Sequence, residues 1–134
     1  MADPQRPIGL LLRTLDGLID QRFEKVLGDR DVSRRQWQLL RTLTEGEASA
    51  DDLRARVAVF LRGDTVPEHL EPLVARGFVE QVRDRYALTD AGKTFAEELA
   101  LDVGAIRELS VRGLAPGEYE RTVDTLQAMI ANLS

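Results

Sequence analysis

The sequence predicts a mainly α-helical domain carrying one short β-hairpin. Three observations predict it. Apolar residues recur at helical spacing along most of the chain. Side chains that cap helices stand just ahead of those stripes, and glycines or prolines punctuate their ends. One stretch, 78–88, breaks the helical period and reads as two strands around a polar turn. The length of 134 residues fits a single domain, taken here as 1–134.

The first helix spans 8–27, after Pro7. Ile8, Leu11, Leu12, Leu15, Leu18, Ile19, Phe23, Val26 and Leu27 form its stripe, and Gly28 is its expected stop. Ser33 and Gln36 make a capping box that opens a second helix, whose apolar face is Trp37, Leu39, Leu40 and Leu43. Arg34 and Arg35, just inside it, are expected to be solvated. Ser49 caps a third helix carrying Leu53 and Val57, with Asp51 and Asp52 in the first turn, where the helix dipole favours them. Thr65 and Glu68 form another box, ahead of Leu70, Leu73 and Val74. Pro72 lacks a backbone donor and crowds the preceding turn, at about 3 kcal/mol, so a kink or break is expected there.

Gly77 stops that segment. Phe78, Val79 and Val82, then Tyr86, Ala87 and Leu88, flank Arg83-Asp84-Arg85 as a hairpin. Thr89 caps a long helix through Phe95, Leu99, Val103, Ile106 and Leu109. Pro116 is expected in the first turn of a last helix bearing Tyr119, Val123, Leu126, Ile130 and Leu133. Short helices followed by a two-stranded ribbon make a winged helix-turn-helix lobe, 33–92. The helices at 8–27 and 90–133 carry stripes too long and apolar for that small core. A second copy of the chain is the simplest cover, which makes these the dimerisation helices.

Composition excludes several chemistries. No Cys is present, so there is no disulfide scaffold or thiolate chemistry, and a reducing cytoplasm is a natural home. One His leaves no His-based metal cluster or Ser-His-Asp triad within a chain. The adjacent pairs Asp51-Asp52 and Glu97-Glu98 do not face one another on a helix. No phosphate-binding Gly-rich loop appears, so neither an enzyme nor a cofactor is expected. Neither a membrane span nor a signal peptide is expected. The net charge of −5 does not itself point to nucleic acid. Basic charge is local: residues 33–62 hold six Arg against four acids, and residues 63–92 three against six.

Four stretches resemble the MarR family of winged-helix regulators: Ser-Arg-Arg-Gln-Trp-Gln-Leu-Leu-Arg-Thr-Leu (33–43), Ala-Ser-Ala-Asp-Asp-Leu (48–53), Leu-Val-Ala-Arg-Gly-Phe-Val-Glu (73–80) and Leu-Thr-Asp-Ala-Gly-Lys (88–93). They occur in order over nearly the whole chain. The resemblance implies a homodimer on a pseudo-palindromic operator in double-stranded DNA. A recognition helix would enter the major groove and a wing would reach the minor groove. It also implies a small-molecule effector bound between the dimerisation helices and the lobe.

On that reading, Arg54, Arg56 and Arg62 contact phosphates. Thr65, Glu68 and His69 face the bases, and Arg83 and Arg85 stand at the wing tip. Glu68 either accepts from a cytosine amino group or acts as an electrostatic brake. Trp37 and Arg41, with Arg13, are the effector candidates, although Trp37 also suits core packing. Tyr119 and the last stripe suit dimer packing. The sequence departs from the family in an acidic, Pro-containing recognition helix and a short wing. The alternative is a module that has lost specific DNA binding and acts through ligands or proteins.

Overall fold

The computed structural model describes residues 7–61 and 63–134. Six helices and three short strands follow one another as α1 (Ile8–Gly28), α2 (Arg34–Leu43), β1 (Ala48–Ser49), α3 (Ala50–Leu61), α4 (Val66–Ala75), β2 (Val79–Val82), β3 (Arg85–Leu88), α5 (Asp90–Ser110) and α6 (Glu118–Leu133). The strands form one antiparallel sheet in the order β1-β3-β2. The hairpin pairs Val79 with Leu88 and Val82 with Arg85.

Local signals explain most boundaries. The Ser33–Gln36 box forms at the start of α2, and the Thr65–Glu68 box at the start of α4. The Thr89 hydroxyl accepts from the Gly92 N–H at 3.0 Å and donates to the Gly77 carbonyl at 2.6 Å. Behind α4, Gly77 takes a φ of 82°. The Phe78 N–H then reaches the Leu73 carbonyl and the Gly77 N–H the Val74 carbonyl, each at 3.0 Å. This double closure satisfies the end of the helix.

Three expectations are corrected. The chain does not break at Pro72, because α4 runs on to Ala75. Pro72 and Glu68 both lie on the exposed side, where water can solvate the carbonyl that loses its partner. The first helix does stop at Gly28 as expected, with the left-handed conformation falling on Asp31, at φ 55°, and the Val32 N–H returning to the Leu27 carbonyl at 3.2 Å. Pro116 precedes α6 rather than entering it, and Gly117, at φ 85°, is the N-cap. The sheet has a third strand, β1, in which Ala48 pairs with Tyr86 and Ser49 with Arg85. Two residues are too few to show a period. Ser49 nevertheless caps α3 as expected, accepting from the Asp52 N–H at 3.1 Å.

The core gathers Leu27 of α1, Leu39 and Leu40 of α2, Leu53 of α3, Leu70 and Leu73 of α4 and Leu99 of α5, all fully buried. Phe78 and Phe95 stack beside it with ring centroids 4.1 Å apart. Gly92 lets α5 approach the chain after α4: a Cβ there would stand 1.9 Å from the Phe78 carbonyl oxygen. Beyond this core the helices are bare. Only Phe23 and Leu27 of α1 are buried, and α6 buries nothing.

Candidate nucleic-acid interface

Helices α3 and α4 with the β2–β3 hairpin form a helix-turn-helix with a wing. Val66, Leu70 and Leu73 of α4 turn into the core. The outward face of α4 is therefore Pro67, Glu68, Glu71, Pro72, Val74 and Ala75, with no cation. Thr65 and Glu68 serve the cap: the Glu68 N–H donates to Thr65 Oγ1, and the Thr65 N–H to Glu68 Oε2, both at 3.4 Å. His69 does not join the outward face. Its imidazole is mostly covered, with Nε2 3.4 Å from Asp64 Oδ2, and its carbonyl accepts from Gln36 Nε2 at 3.1 Å.

The wing is tighter than the three-residue tip expected. Only Arg83 and Asp84 separate the strands, and Arg85 is already paired with Val82. Arg83 adopts φ 60°, a left-handed conformation that favours glycine. Its side chain is exposed and makes no ion pair among the described residues. Arg85 is instead drawn toward β1: its Nε donates to Glu47 Oε1 at 3.0 Å and Nη2 to the Glu47 carbonyl at 3.2 Å. On α3, Arg54 lies 3.9 Å from Asp51, while Arg56 is held by Glu45 at 2.7 Å. Arg62 lies outside the described residues. Arg54 and Arg83 are thus the least committed of the described candidate DNA cations.

Both ends of α4 are fastened to the rest of the molecule. Gln36 holds the first turn from α2, while its Oε1 accepts from the Ser33 N–H at 2.9 Å. Arg76, just past the other end, donates to the carbonyls of Asp31 at 2.9 Å and Arg30 at 3.0 Å. Its guanidinium also sits 5.0 Å from the Phe78 ring and 5.3 Å from the Phe95 ring. Arg30 continues the connection to Glu98 at 2.9 Å on α5. These contacts tie α4 to α2, to the turn after α1 and, through Arg30, to α5.

The effector candidates do not converge on one cavity. Trp37 is 7% exposed and packs in the core, whereas Arg41 and Arg13 are exposed on α2 and α1. A cavity of about 490 Å³ at the α1–α2 junction is lined instead by Asp20, Phe23, Val32, Ser33, Arg34 and Arg35. Arg34 and Arg35 are not solvated as expected. Arg34 pairs with Asp20 at 2.6 Å and Asp16 at 3.0 Å, and lies 5.1 Å from the Phe23 ring. The i,i+4 spacing of Asp16 and Asp20 put a double carboxylate on one face of α1, which was the available clue.

The overall fold recurs in solved structures. Wild-type MarR of E. coli superposes with a TM-score of 0.71 at 20% identity, covering 98% of each chain. The chain has the MarR fold. BpsR of Bordetella bronchiseptica, whose DNA binding is regulated by 6-hydroxynicotinic acid, is similar at a TM-score of 0.81 and 25% identity, over 96% of this chain and 98% of that one. CouR of Rhodococcus jostii RHA1, solved with p-coumaroyl-CoA, gives 0.82 at 20% identity, over 96% and 95%. No protein-family model matches the chain, and no curated protein matches its sequence. In the MarR fold of this chain, the acidic outward face of α4 occupies the recognition-helix position.

Proposed function

We propose that the protein is a homodimeric, ligand-responsive DNA-binding transcriptional regulator that binds a pseudo-palindromic operator. The observation that carries this reading is the complete helix-turn-helix and wing, shared over 96% of the chain with a structure whose DNA binding is ligand-regulated. Residues 33–92 serve as the DNA lobe, and the helices at 8–27 and 90–133 as the dimerisation element. Exposed apolar side chains support that division: Leu15 is 52% exposed, Leu18 53% and Ile130 65%. Such stripes are covered most simply by a two-fold copy. No helix of the described residues is long and apolar enough to cross a membrane. The fastening of α4 to α1, α2 and α5 supports effector response, because a ligand wedged among those helices moves the groove-reading element.

The reading makes the protein a binder rather than an enzyme. A second reading is favoured by one observation, the cation-free face of α4: a module that has lost specific DNA binding and acts through ligand or protein partners. Selection of bound sequences from random duplex DNA separates the two. A recovered inverted repeat supports the operator-binding regulator. Failure to retain any duplex at low salt overturns it in favour of the second reading.

A further inference from the structure

We propose that Glu71 is the specificity-determining residue of the recognition helix and accepts a hydrogen bond from the amino group of a cytosine. The inference rests on the operator-binding reading above and deepens it. Glu68, the other carboxylate on this face, is drawn into the helix cap with Thr65. Thr65 is spent in the same box, and His69 is directed at Asp64. Glu71 makes no hydrogen bond or ion pair among the described residues, and it is exposed.

Its position is favourable. Successive helical residues turn by about 100°, so Glu68 and Ala75 lie opposite the core-facing Val66, Leu70 and Leu73, and Glu71 lies on the same outward side, on its flank towards the wing. Glu71, Val74 and Ala75 line a depression of about 420 Å³ against Gln81 and Tyr86 of the wing strands. A helix lying in a major groove presents this outward side to base edges.

The chemistry then narrows the sequence that can be read. Guanine offers acceptors, O6 and N7, and is read by Arg or Lys; α4 has neither. A carboxylate only accepts; of the two major-groove donors, adenine N6 stands beside the N7 acceptor, which repels a carboxylate, so cytosine N4 is the better match. Val74 and Ala75 add methyl groups suited to a thymine methyl. The acidic helix is thus a reader of cytosine, with phosphate attraction left to Arg54 and Arg83.

The test is selection from random duplexes at low salt with the full-length parent, Glu71→Ala and Glu71→Gln. Helical content and thermal midpoint are checked for each protein. Glu71 has no hydrogen-bond or ion-pair partner among the described residues, so all three should melt alike. The parent should select one cytosine per half-site, and replacing that base pair should weaken binding about 5- to 150-fold, equivalent to roughly 1–3 kcal/mol. Glu71→Ala should flatten that position alone. Glu71→Gln should move the preference to adenine, since an amide pairs with adenine N6 and N7. A selective parent whose preferences survive both substitutions overturns Glu71 as the reader and leaves the operator-binding reading standing. A uniform gain for all duplexes in both variants does the same, showing a brake rather than a base-specific hydrogen bond. A parent that retains no duplex removes the operator-binding reading itself, and this assignment with it.

Discussion

Leu39, Leu40, Leu53, Leu70 and Leu73 in the winged-helix lobe are fully buried, whereas Leu15 and Leu18 of α1 and Ile130 of α6 keep more than half their surface in water. Both regions carry apolar stripes at helical spacing. In the lobe, α2, α3, α4 and the small sheet pack on one another and on Leu27 of α1 and Leu99 of α5, so the stripes are covered within one chain. At the ends, α6 buries nothing and the first turns of α1 face outward. The difference teaches that periodicity announces an apolar face without saying what covers it. Fully burying a Leu side chain contributes roughly 1.5–3 kcal/mol. The lobe draws that contribution from its own chain; on the proposed reading, the terminal helices draw it from association.

The sharpest way to break this comparison is to charge the terminal stripe. Leu15→Glu combined with Ile130→Glu should abolish a dimer held at micromolar concentration, an association of about 8 kcal/mol or more. Sedimentation of the parent should give about twice the 15.0 kDa chain mass, and the double variant the monomer mass. A parent that already sediments as a monomer would refute self-association as the cover.

Truncation inside the lobe comes next. Leu70→Ala removes a fully buried side chain from α4 and should cost about 2–5 kcal/mol in denaturant unfolding. In the monomeric Leu15→Glu/Ile130→Glu background, Leu133→Ala, at 89% exposure, should leave unfolding within about 0.5 kcal/mol. Similar losses at both positions would erase the distinction between the regions.

Gly92→Ala probes the tightest approach in the lobe. Its Cβ would meet the Phe78 carbonyl oxygen, a backbone atom that cannot rotate away. Destabilisation of roughly 1–3 kcal/mol is expected. Gly104→Ala, on the same helix with nothing within 4 Å of the added carbon, should stabilise by up to about 1 kcal/mol. Equal melting temperatures for the two variants would show that α5 shifts freely.

The smallest effect concerns the wing. Arg83→Gly relieves the left-handed backbone and should raise stability by about 1 kcal/mol. It should also lower the salt slope of DNA binding by about one unit for each phosphate that Arg83 neutralises. Arg85→Ala should leave that slope unchanged, because Glu47 already holds the side chain. The opposite ranking would place Arg85, not Arg83, on the DNA.

The sequence by itself determined the helices, the caps that open α2, α3, α4 and α5, and the lobe order. Ser33 with Gln36, Thr65 with Glu68, and Thr89 with Gly92 act across three residues, and their geometry is dictated by the helix they start. The candidate DNA residues were legible as residue types on a recognisable frame, but their commitments were not. Only the tertiary structure showed that Arg85 belongs to Glu47, 38 residues away, and that Arg34 reaches Asp16 and Asp20. It alone showed why residue 92 is a glycine and how Arg76 joins α4 to the Arg30–Asp31 turn, 45 and 46 residues back. These pairings are made by side chains and carbonyls that meet because the core brings them together. A short-range signal carries its partner within the same turn; a long-range one has no local trace until packing supplies the second atom.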